Sequence, residues 1–145
     1  KSRLIERIHK LSPDIWIGLL RFMRRYTPLK SLKCFIVDSF PVQICKNIRI
    51  GRSKLVQGKS YRGFNASKRE YYYGYKTSMI TCENGLPIDI KLAPASYHDL
   101  TILKNTPLDP IPKGAILVGD AAYLSESFKS TVAKQGIELI TDKRK

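Results

Sequence analysis

Two short apolar runs, each closed by an aspartate, restrict this chain more than any other feature. Cys34-Phe35-Ile36-Val37 runs into Asp38, and Ala115-Ile116-Leu117-Val118-Gly119 runs into Asp120. Short continuous apolar stretches suit strands buried in a sheet, so each carboxylate is expected at or near the end of a buried strand. An ionised carboxylate there is costly unless something positive compensates it. A divalent cation with oxygen ligands is one such compensation; capping a helix or bonding a loop is the structural alternative. If both strands are central and adjacent, the two side chains can share a metal site suited to phosphodiester cleavage.

The pattern around these runs is that of an α/β domain. Ser12-Pro13-Asp14 reads as a helix start, with Ser as N-cap, Pro at the first helical position and an acid in the first turn. Ile15, Trp16, Leu19, Leu20 and Met23 then share one helical face, expected to pack in the core. Residues 46–70 are basic and contain Gly51, Gly58 and Gly63, which reads as an irregular insertion. Tyr71 to Thr81 has strand composition, Asn84-Gly85 signals a hairpin, and Leu86 to Leu92 is its return strand. His98 to Leu103 begins a short helix in which Asp99 is favourable in the first turn. Ser125 caps a helix that stops at Gly136, and Ile137 to Ile140 is a fifth strand. An antiparallel hairpin followed by crossovers that add parallel strands gives a mixed sheet flanked by helices.

Charge narrows the partner. Of a net +14, residues 1–33 carry +7 and residues 43–76 carry +8, whereas residues 77–145 balance. So uneven a field favours a polyanion, most often nucleic acid; a solvated basic surface or a membrane-surface role is the alternative. Lys46, Arg49, Arg52, Lys54, Lys59, Arg62, Lys68 and Arg69, together with Lys76, are the candidates for phosphate contacts. Tyr71, Tyr72 and Tyr73 are assigned mostly to the sheet. His98 and Asp99 can lie near DNA or a metal as well as start a helix. No apolar run reaches the ~18 residues that span a membrane, and the charged start does not read as a signal peptide, so a cytoplasmic protein is expected. The three cysteines, Cys34, Cys45 and Cys82, form no C-x-x-C pair and suggest neither zinc nor disulfides. Ser39 has no identifiable base partner, and no phosphate-binding glycine loop is present.

Several motifs together resemble the insertion-sequence DDE transposases. Val37-Asp38-Ser39-Phe40-Pro41-Val42 is similar to their first catalytic-Asp motif, and Gly119-Asp120-Ala121-Ala122-Tyr123 to the second. Tyr72-Tyr73-Gly74-Tyr75-Lys76, followed by Glu83-Asn84-Gly85-Leu86-Pro87, looks like the hairpin of insertion-sequence family nine-eight-two. Ala95-Ser96-Tyr97-His98-Asp99 is similar to the histidine-aspartate stretch that comes next. The resemblance covers about residues 30–142, with 82 positions from Asp38 to Asp120.

It implies a ribonuclease H-like fold in which Asp38 and Asp120 hold Mg²⁺ (or Mn²⁺) with a third carboxylate. It also implies DNA as partner, at element ends and target, and a homodimer. The activity implied is hydrolysis at the element end followed by strand transfer. The third carboxylate is implied to be a Glu on a helix after the fifth strand. Glu6, Glu70, Glu83, Glu126 and Glu138 do not stand there. Residues 1–30 are therefore expected to be the tail of an N-terminal helical region. Residues 31–145 are expected to be a partial catalytic domain without its C-terminal helix, inactive alone. A non-catalytic DNA-binding remnant of the same fold and a host ribonuclease H-like nuclease are the competing readings.

Overall fold

The computed structural model describes residues 3–142. Two helices come first, α1 (Arg3–Lys10) and α2 (Pro13–Tyr26). Ser12 caps α2 as its sequence predicts, accepting from the Asp14 amide at 3.3 Å. Six strands follow: β1 (Cys34–Lys46), β2 (Arg62–Asn65), β3 (Glu70–Cys82), β4 (Pro87–Pro94), β5 (Ile116–Gly119) and β6 (Glu138–Thr141). Helix α3 (Asp99–Lys104) precedes β5, and α4 (Glu126–Lys134) precedes β6.

All six strands form one sheet. β3 pairs antiparallel with β1 on one side, and with β2 and β4 on the other. β5 joins the far side of β1 in parallel, and β6 joins β5 in parallel. This is the mixed, helix-flanked, ribonuclease H-like arrangement expected. The hairpin turns at Asn84-Gly85, where Gly85 takes φ +78°, a region open to glycine. Next to the turn, Glu83 accepts from the amide of Cys34 at 3.1 Å and so pins the start of β1.

The core lies on one face of this sheet. Phe35, Val37, Ile80, Cys82, Leu117 and Leu139 meet Leu103 of α3, Tyr123, and Phe128 and Val132 of α4. The opposite face is more open: Ile36, Ile90, Leu92 and Ile140 are 42–61% exposed, although Thr77 between them is buried. The apolar run Cys34–Val37 is therefore not buried on both sides as its composition suggests. It alternates, Phe35 and Val37 inward, Ile36 outward.

Three further expectations are corrected. β1 does not end at Val37 but runs on to Lys46. Its Pro41 is tolerated because ladder alternation turns the Pro41 nitrogen away from β3. On that side β5 pairs only with Cys34–Ile36, so no bond is lost. Residues 46–70 are not simply irregular: they contain 3-10 turns at Asn47–Arg52 and Lys59–Tyr61, and β2. The short strand was hidden because Gly63 interrupts its apolar pattern. Ile15, Trp16 and Leu19 of α2 are 47–50% exposed rather than core; α2 packs on the sheet mainly along β4. Among the described residues no helix is long and apolar enough to cross a membrane.

β1 carries a bulge between Gln43 and Cys45, opposite Gly74. A Cβ at position 74 would collide with the backbone carbonyl of Val42, which cannot move without opening the ladder. Gly74→Ala is therefore expected to lower stability by about 1–3 kcal/mol or more. Gly51→Ala, with nothing near the new methyl group, should stay within about 0.5 kcal/mol of the parent. Urea denaturation of the two variants checks the contrast.

Candidate carboxylate site and basic face

Asp38 and Asp120 are brought together by strand register. β1 and β5 pair in parallel through Ile36 and Val118, and each aspartate stands two residues further on. Asp38 lies inside β1 rather than at its end, and Asp120 follows β5 directly in extended conformation. Adjacent strands lie about 4.8 Å apart, and residues two apart share a face. Both side chains therefore leave the sheet on the face of Ile36 and Val118, the open one. Both residues are exposed. The desolvation argument made from the sequence does not apply to two exposed side chains.

Each carboxylate also does local work. Asp38 Oδ1 accepts from the Ser39 amide at 2.7 Å. Asp120 Oδ1 accepts from the Ala122 amide at 2.9 Å and so caps the 3-10 turn Ala121–Tyr123. Among the described residues, Oδ2 of each is free of hydrogen bonds to protein. The donor set, two hard carboxylate oxygens in register, fits a divalent cation that takes oxygen ligands. It fits only in part: among the described residues no group of three His, Cys, Asp or Glu converges on one point.

A second cluster sits on the covered face beside this pair. Ser39, next to Asp38, donates its hydroxyl to Asp99 Oδ1, and Lys76 Nζ reaches the same oxygen at 3.1 Å. His98 is the N-cap of α3, its Nδ1 accepting from the Leu100 amide at 3.3 Å. The histidine-aspartate stretch thus starts a helix, as read, and also ties that helix to β1 and β3. Ser39, which lacked any partner in the sequence, gains one through a contact 60 residues away. Separation in sequence hid it.

Tyr123, 1% exposed, packs its ring over Gly119. Burial pushes its phenol up to about 12; the nearby Ser39 and Ser78 hydroxyls ease it down, and the charges of Asp99 and Asp38 raise it. The serines lie close, yet the phenol oxygen makes no well-formed hydrogen bond among the described residues. Tyr72 is raised by burial, with Asp99 adding to it.

The nine basic candidates are distributed unevenly. Lys59, Arg62 and Lys76 line one hollow of about 620 Å³ with Phe64, Tyr71, Tyr73 and His98. Lys46 and Arg49 flank a separate groove at the β1 bulge. Arg52, Lys54, Lys68 and Arg69 are exposed on the 3-10 and β2–β3 connections. Lys76 differs from the others in being half-buried and ion-paired, so its charge is partly spent on Asp99. The tyrosines divide: Tyr72 packs inside, whereas Tyr71 and Tyr73 face the hollow. Phe64 was not singled out from the sequence. The signal was its alternation with Arg62 across Gly63.

A family model described as the transposase DDE domain matches residues 30–145. None of the curated proteins compared matches the chain. Among solved structures, the cryo-electron-microscopy structure of the piggyBac transposase synaptic complex with hairpin DNA is similar to it. The TM-score is 0.55 and the identity 15%, over 88% of this chain and 26% of that one. At that identity the likeness is one of fold, and the chain spans about a quarter of the other's length.

The buried phenol gives a pH dependence with a definite sign. Tyr123 keeps its proton to about 12 in the folded chain, against an ordinary value of 10.0. The folded state therefore binds more protons than the unfolded one in between. This contribution to stability is complete below pH 10 and is lost as the pH rises toward 12. Urea midpoints measured from pH 9 upward should fall over that range. Tyr123→Phe should flatten the fall, leaving the smaller part due to Tyr72.

Proposed function

The chain belongs to the transposase DDE-domain family, and from that premise we propose that it supplies the catalytic core of an insertion-sequence DNA transposase. The finer assignment, to insertion-sequence family nine-eight-two, rests on the hairpin and histidine-aspartate motifs. The observation that carries the reading is the register of Asp38 and Asp120 on adjacent parallel strands, both facing out of the sheet. Two carboxylate oxygens without hydrogen bonds to the described residues stand on adjacent strands of a strongly basic chain. They suit a cation that must also touch phosphate.

In this reading Asp38 and Asp120 hold Mg²⁺, or Mn²⁺, together with a Glu that is not among the described residues. When bound, the ion supplies Lewis acidity toward the phosphoryl oxygens and lowers the pKa of the attacking hydroxyl. The rest falls to the chain. β1 and β5 fix the two carboxylates by their ladders, so little reorganisation is needed when substrate arrives. Ser39, Asp99 and Lys76 lock the strand behind Asp38 to β3 and α3. The exposed lysines and arginines of 46–69 hold the DNA backbone, because they can reach phosphates without first being desolvated. The substrate is the element end, then target DNA; the assembly is a homodimer, acting in the bacterial cytoplasm at the nucleoid.

Two measurements test this. In the full-length protein, Asp38→Asn or Asp120→Asn should reduce Mg²⁺-dependent nicking of end-containing DNA by about a thousandfold or more, given the several kcal/mol that a metal supplies. DNA affinity should change little. Wild-type nicking by both variants removes the assignment. Separately, affinity for duplex DNA should fall steeply with salt, and pairwise neutralisation of Arg49 and Arg52 should reduce the log–log slope by about two.

A further inference from the structure

The hollow at the β2–β3 edge has a composition that backbone binding alone does not require. Phe64 stands directly opposite Tyr71, and Arg62 opposite Tyr73, so alternation places all four on one face of the two-stranded edge. Phe64 and Tyr71 are 54% and 51% exposed. Their rings lie 5.0 Å apart and tilted, and the Arg62 guanidinium sits 4.1 Å from the Tyr71 centroid. Lys59 and Lys76 rim the same space. A fold that needed only to cover an edge strand would use charged or short residues there. Leaving two aromatic rings more than half open instead exposes apolar surface.

A hollow of about 620 Å³ that joins half-exposed aromatic rings to cations is suited to a planar, anionic ligand. We infer that the hollow receives an unpaired nucleotide of the DNA strand, its base stacked on Phe64 and Tyr71 and its phosphate held by Arg62 and Lys59. This rests on the reading of the chain as a DNA-acting protein. It goes beyond that reading in naming the form of DNA: bases within a duplex are already stacked on their neighbours and offer these rings nothing. The rim of the hollow is also tied to β1, on the covered face of the sheet. Lys76 on that rim bonds Asp99, and Asp99 accepts from Ser39, one residue from Asp38.

Fluorescence anisotropy on the purified protein, with a single-stranded oligothymidylate of roughly twelve nucleotides and a duplex of equal length, tests the assignment. Phe64→Leu combined with Tyr71→Leu should weaken single-strand binding by about tenfold or more and leave duplex binding within about twofold. Phe64→Tyr, which keeps the ring, should bind like the parent, and Arg62→Gln should lower the single-strand salt slope by about 0.7. The last two variants alter exposed residues, so they report even if the double variant does not fold. Equal losses on both DNA forms, or undiminished single-strand binding by the double variant and by Arg62→Gln, overturn the inference while the DNA reading stands. Failure of the parent protein to bind either form at low salt removes both together.

Discussion

The antiparallel pairing of β1 with β3 is the interaction on which the rest of this structure depends. Register runs from Phe35 and Cys82 at one end to Lys46 and Tyr72 at the other, with one bulge near the far end. At the first end it delivers Phe35, Val37, Ile80 and Cys82 to the core. In the middle it sets Asp38 and Ser39 back to back, one on each face of the sheet. At the far end it holds Tyr71–Tyr73 where β2 can pair with them, and so builds the basic, aromatic edge. β5 then needs only three paired positions on the other side of β1 to put Asp120 level with Asp38.

The two faces of the sheet have different electrostatic tasks. On the covered face, polar groups near the site are satisfied by one another: Ser39 with Asp99, Asp99 with Lys76. Burial there raises the Tyr123 phenol. On the open face, Asp38 and Asp120 remain in water. Their availability to a cation follows from exposure and not from a desolvation penalty. Compensation of a buried charge is therefore not a reason for singling them out.

The basic segment gains order from the same source. A run of Lys and Arg broken by glycines reads as a loop, and much of it is 3-10 turn and connection. Pairing of Arg62–Asn65 with Glu70–Tyr73 organises part of it. Gly63 allows this because the Tyr72 ring and the Ala95 methyl group occupy the space a side chain would take. Three of the cations then converge on one hollow, and the remainder stay spread over the surface.

What local pattern encodes was legible in the chain alone. The cap at Ser12, the turn at Asn84-Gly85, the helix start at His98 and the two aspartates at the apolar runs each depend on neighbours within a few residues. What depends on distant neighbours was not. Which face of β1 is covered, how far β1 extends past Pro41, the tie between Ser39 and Asp99, and the exposure of Ile15, Trp16 and Leu19 are all decided by what packs from elsewhere. Composition says that a residue can be buried or can bond; only the arrangement of the other strands and helices determines whether a partner is there.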